Sequence, residues 1–152
     1  MGKETGDHIL IEEASIKDVK SIYEIGRQCF TDAWREETIK NDLSRDHSVY
    51  FIAKINGKAG GYGCFWFIAD EAQLVNIGVL PIFRRLGAAE KIIQSGIEEA
   101  LHRHMQTMFL EVRVGNLAAQ TLYRKYNFHV VSLRKGVYER PKEDGYIMSL
   151  SL

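Results

Sequence analysis

The sequence predicts an α/β chain built on one mixed sheet with helices on both of its faces. Three observations carry this. The first half is rich in hairpin signals, above all Asn56-Gly57 between two apolar runs. The second half alternates apolar strands with helix-period segments. The length of 152 residues corresponds to one ordinary domain, able to bury most of a core without disulfide or metal staples. No internal repeat, low-complexity tract or linker divides it. Residues 1–152 are therefore read as a single domain, with the polar residues 1–7 expected to be flexible.

His8 to Glu13 reads as a first strand. Ser15 suits an N-cap with Asp18 three residues on, and Val19, Ile22, Tyr23, Gly26, Cys29 and Phe30 follow at helical spacing. Thr31 to Trp34 breaks that helix, and a shorter one covers Glu36 to Leu43. Val49 to Ile55 and Lys58 to Ile68 form the hairpin around Asn56-Gly57, with glycines in the return strand that suit bulges. Asp70-Glu71 turns into a strand from Gln73 to Leu80, which Pro81 stops. The clearest helix follows. Ala89, Ile92, Ile93, Gly96, Ile97, Ala100 and Leu101 share one face, while Glu90, Lys91, Glu98, Glu99 and Arg103 take the other. Thr107 to Val114 is a strand. Asn116 to Tyr126 is a helix with Asn116 as N-cap, and Phe128 to Leu133 and Gly145 to Leu150 are late strands.

Composition excludes several functions. Lys plus Arg and Asp plus Glu are both 20, so the net charge is zero and bulk electrostatic binding to nucleic acid is not expected. Neither the two cysteines, Cys29 and Cys64, nor the five histidines have a spacing that suggests a disulfide framework or a metal site. Cys64, in an apolar run, reads as a core residue. No stretch approaches the roughly 20 apolar residues that span a bilayer, and the N-terminus carries no apolar signal region. A reducing, cytoplasmic setting is the expectation.

One turn suggests a ligand. A strand ending at Leu80-Pro81 passes through Arg84-Arg85-Leu86-Gly87-Ala88-Ala89 into the clearest helix. A helix start exposes unpaired N–H groups and the positive end of the macrodipole, which suits a phosphate. Gly87 removes a Cβ from the approach, Ala88 and Ala89 keep the surface open, and Arg84 and Arg85 add charge-assisted donors. No Gly-Lys-Ser/Thr follows, so this is not a Walker A loop. Taken alone, Arg-Arg at a helix start reads equally well as a solvated face.

The spacing Arg84-x-x-Gly87-x-Ala89 resembles motif A of the GNAT acetyltransferases, Gln/Arg-x-x-Gly-x-Gly/Ala. The likeness extends to Asp70-Glu71-Ala72-x-Leu74-x-Asn76-Ile77-x-Val79-x-Pro81 before it. After it come Leu110-Glu111-Val112-Arg113-x-x-Asn116-x-x-Ala119-x-x-Leu122-Tyr123, Asn127-Phe128, Arg134, Tyr138 and Ile147-Met148-x-Leu150. From about Asp70 onward this set is similar to the RimI-type ribosomal-protein-alanine N-acetyltransferases.

The resemblance implies the GNAT fold, a single mixed, mostly antiparallel sheet with helices on both faces, with acetyl-CoA in a V-shaped splay between two central strands and no metal. It implies that the backbone of Ile77, Gly78 and Val79 pairs with the pantetheine arm. Arg84, Arg85, Leu86, Gly87, Ala88, Ala89 and Glu90 would wrap the pyrophosphate, and Asn116 would meet the pantetheine from the other side. Glu111 is implied as general base and Tyr123 as general acid, for direct transfer in a ternary complex to the N-terminal α-amine of a protein, such as an Ala-initiated ribosomal protein. Trp34 and Tyr138 would line the acceptor site. A lysine side chain, a small-molecule amine, or acyl-CoA binding without catalysis are the alternatives.

The chain departs from the pattern at three places. Glu90 replaces an Arg, Ala33-Trp34-Arg35 replaces Pro-Trp-Ser, and Lys135-Gly136-Val137-Tyr138 replaces an Arg-Asn-Tyr-Tyr-like run. The residues themselves leave other roles open. Glu111 could pair with Arg113 on the same strand face, Tyr123 could be a core aromatic, Asn116 could serve only as a cap, and Trp34 could be core or wall.

Overall fold

The computed structural model describes residues 7–152. The expectation of flexibility for residues 1–7 therefore falls, apart from Asp7, outside the described residues. Asp7 accepts a hydrogen bond from Asn56 Nδ2 at 2.9 Å.

The elements follow in the expected order. They are β1 (Ile9–Glu13), α1 (Val19–Cys29), α2 (Glu36–Leu43), β2 (Ser48–Ile55), β3 (Lys58–Ile68) and β4 (Glu71–Val79), then α3 (Ala88–His102), β5 (Thr107–Arg113), α4 (Leu117–Lys125), β6 (His129–Glu139) and β7 (Lys142–Ser151). The strands form one seven-stranded sheet in the order β1-β2-β3-β4-β5-β7-β6. Among the described residues only the β4–β5 pair is parallel. Asn56 and Gly57 both have positive φ (52° and 85°), the conformation a two-residue hairpin turn of this hand requires.

Two differences from the sequence reading have simple causes. The first helix opens as a 3-10 turn over Ile16–Asp18, where the Asp18 carboxylate accepts the Ser15 N–H at 2.9 Å. The last hairpin is longer than its apolar runs. Strand β6 continues through Lys135–Glu139, because pairs such as Tyr138↔Glu143 and Glu139↔Lys142 extend the ladder into polar residues.

Alternation along the strands divides the core in two. On one face Val49, Ala53, Phe65, Phe67, Ala72, Leu74, Met108, Leu110 and Val112 pack against Ile92, Ile93 and Ala100 of α3 and Tyr123 of α4. On the other Tyr50, Ile52, Tyr62 and Cys64 pack against Ile22, Ile25 and Ile39 of α1 and α2. Cys64 is a core residue, as expected. Helix α3 lies unusually close to β3. A Cβ on Gly63 would stand 2.4 Å from Ile92 Cγ2, and one on Gly96 would stand 2.1 Å from the Phe65 ring.

The feature that makes a site is where β4 and β5 part. They pair only from Glu71↔Thr107 to Leu74↔Leu110. At that point β4 bulges against β3: Phe65 pairs with Leu74 and Cys64 with Asn76, leaving Val75 as the extra residue. A bulge bends and twists its strand, so β4 swings away from β5. Asn76 to Val79 and Glu111 to Arg113 then face each other across a gap.

Candidate active site

The gap is the floor of a cleft of about 690 Å³ that runs through the sheet. Asn76, Ile77, Gly78 and Val79 line one wall and Leu110, Glu111, Val112 and Arg113 the other. Arg84, Ala89, Asn116, Ala119, Leu122 and Tyr123 bound it on the α3–α4 side, and Cys29, Phe30, Trp34 and Tyr138 on the α1 side.

At the start of α3, Gly87 is the N-cap with φ 92° and ψ 9°, and Arg85 also has a positive φ of 67°. Nothing lies within 4 Å of where a Gly87 Cβ would be. The Arg84 N–H donates to Pro81 O at 3.3 Å and the Lys91 N–H to Gly87 O at 3.2 Å; between them, among the described residues, no backbone N–H has a backbone acceptor. That run of free donors at a helix N-terminus is a cradle for an anion.

The side chains around the cradle depart from the sequence reading. Arg84 turns inward, its Nε donating to Val79 O at 2.8 Å. That bond braces the end of β4, and Arg84 also lines the cleft. Ala88 is a core residue, so its small size serves packing in the core on the α3 side rather than an open surface, while Ala89 lines the cleft. Glu90 turns away from the cradle. Its Oε1 accepts from Lys125 Nζ at 2.8 Å and from the Tyr126 hydroxyl at 2.7 Å, which ties α3 to α4. Those bonds, Lys125 first, hold its carboxyl below the usual carboxylate range. Arg85 and Leu86 remain at the surface of the turn.

Glu111 alternates with the buried Leu110 and Val112, so its carboxylate emerges on the α1 face. Its partner is Arg134 Nη1 at 3.0 Å, not Arg113. Arg113 is engaged elsewhere: with Glu143 at 3.0 Å and with the carbonyls of Pro141 at 2.8 Å and Arg140 at 3.2 Å. Its guanidinium also lies 4.4 Å from the centre of the Tyr138 ring. A Cβ on Gly145 would stand 2.9 Å from the Tyr138 ring and 3.5 Å from Glu111 Cγ, so both side chains lie over that bare position. Burial, then the Glu111 charge, pushes the Tyr138 hydroxyl up to about 12.

Tyr123 reaches the cleft from α4. Asn116 Oδ1 caps that helix by accepting the Ala119 N–H at 3.2 Å, which leaves its Nδ2 without a partner among the described residues. Gln120, one turn before Tyr123, donates to the carbonyls of Arg113 and Val114 at 3.1 and 2.9 Å and locks α4 to the end of β5. The Tyr123 ring packs edge-on against Phe128, with centroids 5.9 Å apart. Its hydroxyl makes no hydrogen bond to the described residues. Burial, and after it Tyr138, raises its titration well above that of free tyrosine. Tyr123 is thus both a core aromatic and a cleft residue. Trp34 likewise lines the cleft while stacking on Trp66 at 6.4 Å.

Sequence reasoning missed three supports. Asp42 is 4% exposed and accepts from the Ser48 and Tyr50 hydroxyls at 3.0 and 2.7 Å and from Trp66 Nε1 at 3.1 Å, which fixes the ring beneath Trp34. Arg134 holds Glu111. Asn76 Oδ1 is buried, with no hydrogen-bond partner among the described residues, in a residue that lines the cleft. No helix among the described residues is long and apolar enough to cross a membrane.

Comparison with known proteins agrees with this architecture. The chain is 28% identical over 144 residues to the ribosomal protein bS18-alanine N-acetyltransferase of Escherichia coli K12, covering 93% of this chain and 97% of that one. The crystal structure of the Escherichia coli ribosomal-protein-S18-alanine N-acetyltransferase superimposes with a TM-score of 0.88 at 29% identity, over 95% of this chain and 94% of that chain. The fold is shared by Arabidopsis thaliana NAA60, solved in complex with acetyl-CoA, at a TM-score of 0.85 and 17% identity over 95% and 99% of the two chains. The model of the acetyltransferase (GNAT) family matches residues 19–128, and the chain belongs to that family as an N-acetyltransferase.

Proposed function

We propose that this protein transfers the acetyl group of acetyl-CoA to the N-terminal α-amine of a protein, with a ribosomal protein as the first acceptor to test. The observation that carries the reading is the cleft itself. It joins a cradle of free N–H groups at the start of α3 to a carboxylate, Glu111, on the opposite face of the sheet. The naming of the bacterial relatives as bS18-alanine N-acetyltransferases supports the acceptor class.

The residues fit acetyl-CoA. The free N–H groups from Arg85 to Glu90 suit the pyrophosphate, and the unpaired edge of β4 from Asn76 to Val79 suits the pantetheine amides as a missing strand would. Asn116 Nδ2 offers a donor from the α4 side. Bound acetyl-CoA supplies an activated acetyl thioester. An α-amine has a pKa of about 8 and is mostly protonated at neutral pH. Glu111, directly or through a water, takes that proton. The amine then attacks the thioester carbon; the C–N bond forms, the nitrogen sheds its second proton to solvent, the C–S bond breaks, and the CoA thiolate leaves. Tyr123, held neutral by its burial, gives that thiolate a proton or a hydrogen bond. Trp34 and Tyr138 form the walls on the acceptor side.

The test is a panel of N-terminal peptides, free amino acids and Nα-blocked lysine peptides mixed with acetyl-CoA. CoA release is followed with a thiol reagent and the products by mass spectrometry. Acetylation at the peptide α-amine is expected; turnover confined to lysine or small amines, or no turnover, overturns the acceptor reading.

A further inference from the structure

The tip of the β6–β7 hairpin walls the acceptor side of the cleft with little sheet to hold it there. Pairing of β7 with β5 ends at Arg113↔Gly145. Pairing of β7 with β6 is interrupted beyond Arg134↔Gly145, where Lys135 to Val137 stand against the single residue Asp144. It resumes only for Tyr138↔Glu143 and Glu139↔Lys142. Two ladder pairs beyond a bulge are a weak hold on a strand end. Tyr138, Arg140 and Pro141 of this tip nonetheless line the cleft.

One side chain grips the tip. Arg113 Nη1 donates to Pro141 O at 2.8 Å and to Glu143 Oε1 at 3.0 Å, and its Nη2 donates to Arg140 O at 3.2 Å. The same guanidinium lies over the Tyr138 ring, 4.4 Å from its centre. A planar fork of fixed donors can make all of these contacts at once. The Arg113 side chain is 24% exposed. The tip's other ion pairs among the described residues are Arg140–Asp32 at 3.7 Å and Lys142–Glu139 at 3.9 Å. Both are well exposed and contribute little.

The backbone of Arg113 is anchored on the opposite side. Its carbonyl accepts the Asn116 N–H at 3.0 Å and Gln120 Nε2 at 3.1 Å, and Glu143 Oε2 accepts the Gly115 N–H at 2.7 Å. One residue thus joins the start of α4 to the turn that walls the acceptor side. We infer that Arg113 is a positioning residue for the acceptor: its guanidinium holds Tyr138 and the Arg140–Pro141 turn in the shape that receives the acceptor chain. This rests on the acceptor reading above. Without the guanidinium the tip samples other arrangements, and apparent acceptor affinity falls with the fraction of time the wall is formed. The α3 cradle and the free edge of β4 are left as they are.

The test compares wild type with Arg113→Ala and Arg113→Lys on the best peptide from the panel, with kcat and KM measured separately and CoA affinity by calorimetry. Arg113→Ala is expected to raise the peptide KM by about 10- to 100-fold, with kcat within about threefold of wild type. Its CoA affinity is expected to match that of wild type. Arg113→Lys keeps a charge beside Glu143 but lacks the fork and the flat face, so its KM is expected to fall between the two. A merely structural role would lower kcat and CoA affinity along with acceptor binding. An unchanged peptide KM in Arg113→Ala therefore overturns the inference and leaves the acceptor reading standing, as does a loss of kcat or CoA affinity as large as the rise in KM. Where Arg113→Ala does not fold, an unchanged KM in Arg113→Lys overturns it and a raised KM at wild-type CoA affinity supports it. A wild type that acetylates no N-terminal peptide overturns both.

Discussion

Arg134 Nη1 reaches Glu111 Oε2 at 3.0 Å across an intervening strand, since β7 lies between β6 and β5. The contact fixes a carboxylate that would otherwise swing freely at the lip of the cleft. Arg134 is 57% exposed at its side chain, so the pair orients Glu111 more than it stabilises the fold.

Glu111→Gln preserves an oxygen for Arg134 but cannot take a proton. It is expected to lower kcat by about 10²- to 10⁴-fold. CoA affinity, measured by calorimetry, should stay at the wild-type value, because the cradle lies on the other face. Equal kcat in the variant would remove Glu111 from the chemistry.

Tyr123→Phe keeps the ring against Phe128 and deletes only the hydroxyl. Because that hydroxyl makes no hydrogen bond to the described residues, the melting temperature should change little, by an amount equivalent to roughly 0.5 kcal/mol or less. The kcat is expected to fall by about 10²-fold. In the wild type the raised titration keeps the phenol protonated, so kcat should show no alkaline limb from Tyr123 below about pH 10.

Stability itself should fail on the alkaline side. Burial raises Tyr50, Tyr62 and Tyr123 above their ordinary 10.0 and Cys64 above its ordinary 9.0. A raised acid keeps its proton in the native state while the unfolded chain loses it, so the unfolded state gains as pH rises. Their contribution is complete below about pH 9 and declines above it, by about 1.4 kcal/mol per pH unit for each group that has passed its unfolded value. Urea midpoints measured from pH 7 to 11 should be insensitive to these four groups at first and then drop.

Gly96→Ala puts a methyl where the Phe65 ring already sits, 2.1 Å away. Both groups are in the core, so helix and sheet must separate. The expected cost is about 3 kcal/mol by chemical denaturation, despite the better helix propensity of alanine. A stability equal to wild type would mean α3 packs more loosely than described.

Asp42→Ala strands the buried donors of Ser48, Tyr50 and Cys64 and the half-buried indole N–H of Trp66. A loss of about 3 kcal/mol or more is expected. Trp66 emission should shift to the red as water reaches its indole. An unshifted spectrum with full stability would show that the carboxylate is dispensable.

The element order was legible because it depends on local information: the period of apolar residues and the Asn56-Gly57 turn. Gly87 was legible for the same reason, as a backbone position next to a helix start. What local patterns could not give was direction and long-range pairing. Glu90 sits beside the cradle in sequence, yet its carboxylate is captured by Lys125 and Tyr126 from α4. Glu111 has Arg113 two residues away, yet Arg113 is taken by Glu143 and the carbonyls of Arg140 and Pro141, which leaves Arg134 as the partner. Asp42 looks like a surface charge of a short helix until Tyr50 and Trp66 from two strands close over it. The splay depends on the single extra residue Val75, and a bulge within an apolar run leaves no mark on hydrophobic periodicity.

The short β4–β5 seam has a thermodynamic consequence. Four residue pairs carry all the ladder bonding between the β1–β4 half of the sheet and the β5–β7 half. A molecule lying in the gap and bonded to both edges would act as a tie-bar between the halves. Saturation with CoA should then stabilise the chain by mass action, by about 2.7 kcal/mol at a hundredfold excess over Kd. The accompanying slowing of amide exchange should concentrate along Asn76–Val79 and Glu111–Arg113 rather than spread over the outer strands.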